Sequence, residues 1–142
     1  MFRGGCMRFD TKIAVALRED LPVWQKLNVA AFTVSGLAAT RPELVGAPYE
    51  DGSGNLYLPM FRQPVLVFAG PAEALKAAHA RALARNLRIA IYTAELFTTG
   101  YDDANRAAVK AVQGEALNLV GFAMHEDRKD VDRVLKGLSL HP

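Results

Sequence analysis

A strand, a charged turn and a helix follow one another at the start of the chain, and this order constrains the fold more than any other feature. The apolar residues 13–17 predict a buried strand, and residues 18–36 open a helix. We expect Asp20 to cap that helix and Pro22 to occupy its first turn, where a missing N–H costs nothing. Such a βα unit predicts an α/β protein, in which ligand sites lie at the carboxyl ends of strands.

The rest of the chain continues this alternation of strands and helices. In the first helix the apolar positions Trp24, Leu27, Ala31, Val34 and Ala38 recur at helical spacing and predict the buried face. The D-G-S-G-N segment between two tyrosines predicts a hairpin. Further strands are expected at 65–68, 87–92 and 117–124, and further helices at 72–85, 102–113 and 129–138. The order predicts an α/β fold with a largely parallel or mixed sheet.

Size and composition limit the classes of protein to which the chain can belong. Its 142 residues suit one α/β domain, expected over residues 10–142 after a flexible leader over 1–9. A net charge of +2, from 17 basic and 15 acidic residues, argues against a nucleic-acid partner without excluding one. The single cysteine, Cys6, excludes an intramolecular disulfide and suits a cytoplasmic location. No apolar run reaches transmembrane length, so no membrane partner is expected.

Four segments carry a resemblance to a known family. They read W-Q-K-L-N-V-A-A-F at 24–32, P-Y-E-D-G-S-G-N-L-Y at 48–57, I-A-I-Y-T-A-E-L-F-T-T at 89–99 and K-G-L-S-L-H-P at 136–142. In combination they resemble the uncharacterised domain-of-unknown-function family 2000, which has no established activity. That family is similar in fold to the type II peptidyl-tRNA hydrolases. The resemblance implies a three-layer α/β/α fold around a mixed, mostly parallel sheet of about four strands.

The chain departs from those hydrolases at their charged positions. The hydrolases carry a lysine just before two paired alanines, where this chain has Asn28 if one inserted residue is allowed. They carry an aspartate after the third strand and a threonine four residues later, where this chain has Thr93 and Phe97. The resemblance therefore implies the fold without an intact peptidyl-tRNA hydrolase site.

The first helix and the turn before it supply four candidate ligand-binding residues. Asn28 lies one helical turn from both Trp24 and Phe32, on a largely apolar flank, so its amide needs a hydrogen-bond partner if it is buried. That partner is either a ligand or another part of the fold. Arg18 suits bidentate binding of a carboxylate or phosphate, and Asp20 is either a second contact or a helix cap. A solvated turn with a local ion pair is the alternative for Arg18 and Asp20.

Residues that follow the third strand supply the other candidates, which are Tyr92, Thr93 and Glu95. If the first and third strands are adjacent and parallel, these side chains face Asn28 across one cleft. Glu95 is the only carboxylate there that could act as a general base. The alternative for Thr93 is helix capping.

Three functions remain open, and neither a metal nor a cofactor is expected. The histidines at 79, 125 and 141 have no metal-ligand spacing, and we expect His79 on a helix surface. The cleft favours a small-ligand-binding or regulatory domain. A divergent ester or amide hydrolase, and an RNA-binding relative without catalysis, are the alternatives. The exposed hairpin with Tyr49, Tyr57 and Phe61 predicts a homo-oligomer, expected to be a dimer.

Overall fold

The computed structural model describes residues 9–142. Cys6 and residues 1–8 of the predicted leader therefore lie outside the described residues. Residues 9–142 form seven strands and four α-helices. In chain order they are β1 (Thr11–Arg18), α1 (Val23–Thr40), β2 (Tyr49–Glu50), β3 (Leu56–Tyr57), β4 (Val65–Gly70), α2 (Ala72–Ala84), β5 (Ala90–Thr93), α3 (Asp102–Lys110), β6 (Leu119–Asp127), α4 (Arg128–Val134) and β7 (Ser139–Leu140).

A mixed five-stranded sheet in the order β5-β6-β1-β4-β7 forms the centre of the molecule. The mixed α/β architecture is as predicted, but "mostly parallel" and "about four strands" are wrong. Among the described strands of this sheet, only β1 and β4 pair in parallel, and the other three pairings are antiparallel. The predicted first and third strands, β1 and β5, are not adjacent, because β6 lies between them. The predicted hairpin is present as the β2–β3 pair.

The side chains of β1 alternate between the two faces of the sheet and divide the hydrophobic core between them. Ala14 and Ala16 join a cluster with buried residues of α2 and α4. Ile13, Val15 and Leu17 join a second cluster, which contains the buried apolar residues of α1. Successive side chains of a strand point to opposite faces, so helices cover both sides of the central strands.

The α1 helix turns a different face to the sheet from the one predicted. Its buried residues are Val29, Thr33 and Leu37, whereas Trp24 and Leu27 are 59% and 66% exposed. Because α1 is apolar around most of its circumference, periodicity alone does not identify the buried face. The helix begins at Val23, and Asp20 does not cap it. No described helix is long and apolar enough to span a membrane.

His79 is buried in α2, which corrects its predicted surface position. It lies with Leu75, Ala78 and Ala82 on the buried face of the helix, at the i, i+3, i+4 and i+7 positions. Burial lowers the pKa of His79. The imidazole therefore binds a proton less readily in the folded chain than in the unfolded one.

We expect acid to destabilise the fold partly through His79. As pH falls below about 6.5, the unfolded state takes up a proton that the folded state resists, so stability decreases until the folded-state pKa is passed. The His79→Gln variant should lose less melting temperature than the wild type between neutral and mildly acidic pH. Thermal melts across this range measure the difference, and equal losses in both proteins would contradict the assignment.

Candidate functional site

A cleft of about 300 Å³ opens between α1, the end of β5 and the segment that leads into α3. It lies at the carboxyl end of β5, where Ala94–Phe97 form a short 3-10 helix before α3 begins. The residues that line it are Trp24, Asn28, Phe32, Tyr92, Leu96, Phe97, Thr99, Gly100, Tyr101, Asp102 and Asn105.

Aromatic rings form the wall of this cleft. The ring centroids of Trp24 and Phe97 lie 5.7 Å apart at an interplanar angle of 68°, and those of Phe32 and Tyr92 lie 5.6 Å apart at 80°. Tyr92 and Phe97 connect the two pairs at 4.9 Å. Edge-to-face contacts of this kind contribute about 0.5–1.5 kcal/mol per pair beyond the burial of apolar area. The wall is therefore ordered by its own contacts.

A polar pair lies within the aromatic wall. The Asn28 Nδ2 donates a hydrogen bond of 3.0 Å to the Tyr92 hydroxyl oxygen. Burial raises the pKa of Tyr92, which keeps the phenol neutral and able to donate its own proton. The amide oxygen of Asn28 then remains as an acceptor beside that donor. The opposite orientation of the amide would also leave one donor and one acceptor for a ligand.

The rim of the cleft toward α3 is also polar. The Thr99 hydroxyl donates to the Oδ1 of Asn105. Asp102 forms an ion pair of 2.7 Å with Arg106, one turn along α3, and this pair is exposed. Because solvent screens such pairs, they contribute little stability. The carboxylate of Asp102 thus faces water and a cation, whereas the interior of the cleft has uncharged polar groups.

The structure brings together three of the seven predicted site residues, namely Trp24, Asn28 and Tyr92. The α1 helix carries the first two, and β5 carries the third. These side chains meet although β5 is not next to β1, because α1 packs across β6 to reach β5.

The other four predicted residues do not line the cleft. Arg18 Nε donates to Asp20 Oδ1 at 2.6 Å, which forms a local ion pair in the turn after β1. Thr93 is 1% exposed and does not line the cleft. Its side chain makes no capping hydrogen bond to the short helix that follows. Glu95 is exposed and lies outside the cleft.

The sequence interpretation did not include several lining residues. Phe97 and Tyr101 belong to the connection after β5, whose form the pattern did not predict. Asn105 lies near the start of α3, which the pattern did predict as a helix. The alternation of aromatic and hydroxyl residues over 92–101 was the available signal. Among residues 9–142, no three histidine, cysteine or carboxylate side chains come together in a manner suited to a metal ion.

Comparisons with known proteins identify the family. The model of the family described as "Protein of unknown function (DUF2000)" matches residues 11–142, so the chain belongs to this family. A solved structure of a protein of unknown function from Agrobacterium tumefaciens is 48% identical and has a TM-score of 0.93. The match covers 95% of this chain and all of that one. No curated protein matches the chain.

Proposed function

We propose that this member of the DUF2000 family is a small-ligand-binding or regulatory domain, and that the aromatic-walled cleft is its binding site. The observation that carries the proposal is the Asn28–Tyr92 hydrogen bond within that wall. Pockets for small molecules combine mainly apolar walls with a few polar groups that fix the orientation of the ligand. The wall made by Trp24, Phe32 and Phe97 and the Asn28–Tyr92 pair fit this description.

The chemistry of the cleft favours a flat, uncharged ligand. Its walls are ring faces and edges, and its interior polar groups are one amide and one phenol. These groups match a ligand edge that carries a donor beside an acceptor, as in an amide or a heterocycle. The one carboxylate on the rim, that of Asp102, already pairs with Arg106.

A screen for binding tests the proposal directly. Native mass spectra of the purified protein, followed by a thermal-shift screen of metabolites, should reveal a small molecule that copurifies with the protein or raises its melting temperature. Removing the Trp24 ring by Trp24→Ala should abolish that shift. A spectrum without adducts together with a screen without any stabilising compound would contradict the proposal.

The alternative functions have less support. A hydrolase requires a base in the cleft, and Glu95, the candidate, is exposed outside it. An RNA surface requires Lys26 to join the basic residues of α2. However, α1 and α2 belong to clusters on opposite faces of the sheet, and Arg81 donates to the main-chain oxygens of Val134 and Lys136.

We also propose that the chain shares the three-layer fold of the type II peptidyl-tRNA hydrolases without their catalytic site. Those hydrolases also carry an R-x-D-L segment after their first strand, which this chain has at residues 18–21. This segment and the presence of helices over both sheet faces support the likeness. Asn28 and Phe97, which stand where those hydrolases carry a lysine and a threonine, both line the cleft.

We further propose a cytoplasmic location, supported by the single cysteine of the sequence.

Self-association is a separate proposal, supported by apolar side chains on the β2–β3 hairpin. Tyr49 and Tyr57 are about half exposed, and Leu58 is 83% exposed. Clustered exposed apolar residues are typical of protein interfaces. Light scattering should give a dimer mass for the wild type and a monomer mass for Leu58→Glu. The control Leu83→Glu, which changes an exposed leucine of α2, should remain dimeric; a monomeric wild type would contradict the proposal.

A further inference from the structure

The outer side of α1 is apolar, and nothing within residues 9–142 covers it. The helix exposes every fourth residue along its whole length, at the positions Val23, Leu27, Ala31, Ser35 and Ala39. Its 18 residues include one charged side chain, that of Lys26. Residues spaced by four form a ridge on a helix surface, and such ridges pack into the grooves of another helix.

The β2–β3 hairpin extends this apolar surface. Leu44 and Phe61, on either side of the hairpin, pack in the same cluster as Val29 and Leu37 of α1, so the hairpin segment and α1 lie on one face of the sheet. Nine of the fourteen large apolar side chains that are exposed in residues 9–142 belong to these two elements and their flanks, and we term them the apolar face: Val23, Trp24, Leu27, Phe32, Tyr49, Leu56, Tyr57, Leu58 and Met60.

The opposite side of the molecule is charged. The α2 and α4 helices cover the other face of the sheet. Over residues 72–85 and 128–136 the exposed basic side chains are Lys76, Arg85, Lys129, Arg133 and Lys136, and the exposed acidic ones are Glu73 and Asp132. Charged residues are depleted from the centres of protein interfaces, and an excess of one sign repels a second copy. Two copies of this chain therefore fit together through the apolar face.

The apolar face is large enough for a stable interface between two copies. Its nine side chains are between 50% and 83% exposed. Because a large side chain has roughly 150–250 Å² of surface, together they expose on the order of 1,000 Å². A standard protein interface buries about 800 Å² on each partner. A monomer that left this area in water would carry an unusually large apolar patch.

The order of large and small residues along α1 indicates how the copies fit. Val23 and Leu27 lie in the N-terminal half, whereas Ser35 and Ala39 lie in the C-terminal half. The hairpin segment follows the C-terminal end, and its base is closed where the Gly46 N–H donates to the carbonyl oxygen of Met60 at 2.9 Å. A two-fold axis across the middle of α1 brings the C-terminal end of one helix beside the N-terminal half of the other. Each hairpin then lies against the large residues of the other copy, in a reciprocal contact.

We propose that the apolar face binds a second copy of this chain, with the hairpin of each copy seated on α1 of the other and covering the mouth of the aromatic-walled cleft. This inference rests on the self-association proposed above and names the surface that receives the hairpin. Trp24 and Phe32 line that cleft and also belong to the apolar face. The second copy therefore adds an outer wall to the cleft, and each binding site contains side chains from both copies.

An exchange of charges between two variants tests the pairing of hairpin and helix. Leu27→Lys changes an exposed position of α1 and keeps a good helix former, so the monomer should fold normally. It should weaken the dimer about a hundredfold or more, because each copy buries an unpaired ammonium group. An equimolar mixture of Leu27→Lys and Leu58→Glu should form a heterodimer, since the lysine of one copy meets the carboxylate of the other. Leu83→Lys on α2 is the control and should remain dimeric. Light scattering measures the masses.

The fluorescence of Trp24 reports whether the second copy covers the cleft. Trp24 is the one tryptophan of the sequence and is 59% exposed in the single chain. Dilution of the wild type through the dissociation of the dimer should shift its emission to longer wavelength and increase its quenching by acrylamide. Leu58→Glu, whose change lies on the hairpin, should show the exposed emission at every concentration.

Different results overturn different parts of the inference. A monomeric wild type would exclude this interface together with the self-association on which it rests. A dimeric Leu27→Lys would exclude α1 as the receiving surface and leave the hairpin dimer intact. A mixture that stays monomeric would exclude the contact between Leu58 and Leu27. Trp24 emission that does not change while the mass falls from dimer to monomer would exclude the covering of the cleft.

Discussion

Replacing Asn28 by alanine should weaken ligand binding in the aromatic-walled cleft about tenfold to a hundredfold and leave the melting temperature nearly unchanged. Asn28 lies on an exposed position of α1, and its one hydrogen bond within the described residues goes to the hydroxyl of Tyr92. Alanine favours the helix, which offsets the loss of that bond. A ligand that depends on the amide loses its polar partner, because the hydrogen bond to the Tyr92 hydroxyl comes from Asn28.

Two further variants separate the parts of this polar pair. Tyr92→Phe retains the ring and its contacts with Phe32 and Phe97 but removes the hydroxyl, so it should also weaken the ligand. Ser35→Ala is the matched control, since it removes an exposed polar side chain of α1 outside the cleft. Titration calorimetry with the ligand found in the screen measures the affinities. Cooperative unfolding of Asn28→Ala at a clearly lower temperature would show that Asn28 is a structural amide.

The elements of the fold could be predicted where the local signal is strong. The strand β1 is a continuous apolar run, and α2 ends just before Asn86, which adopts a left-handed conformation with φ of 58°. The edge strand β7 has two residues and no periodicity, so only its pairing with β4 identifies it. The mostly parallel sheet was wrong for a related reason: an alternation of strands and helices does not fix the direction of pairing, which depends on contacts distant in sequence.

The candidate site could be predicted where a single helix and a single strand carry it. The spacing of Trp24 and Asn28 placed both on one face of α1, and the structure places them in one cleft with Tyr92. Thr93 points away because successive residues of a strand face opposite sides. Phe97 and Tyr101 reach the cleft through a 3-10 turn and an irregular segment, whose path no periodicity specifies.

A close approach of α1 to the sheet makes Gly121 the most sensitive glycine behind the aromatic-walled cleft. A Cβ added to Gly121 would lie 2.6 Å from the Cγ1 of Val29 and 2.9 Å from the carbonyl oxygen of Ala16. Val29 is the neighbour of Asn28 on α1, and it is fully buried. The glycine therefore sets the distance at which α1, and with it the polar pair, lies from β6.

Gly121→Ala should destabilise the fold by about 2 kcal/mol and lower the melting temperature by roughly 5 °C. Replacing a strand glycine with alanine restricts the unfolded chain and by itself stabilises by about 0.4–1 kcal/mol. The overlap with the oxygen of Ala16 outweighs this gain, because a hydrogen-bonded strand cannot move as a side-chain end can. The control is Gly114→Ala, whose added Cβ meets nothing within 4 Å. Thermal melts of both variants test this prediction. Equal melting temperatures would show that α1 shifts without cost. A melting temperature lowered only in Gly121→Ala, together with weaker ligand binding, would show that the packing of α1 on β6 fixes the cleft.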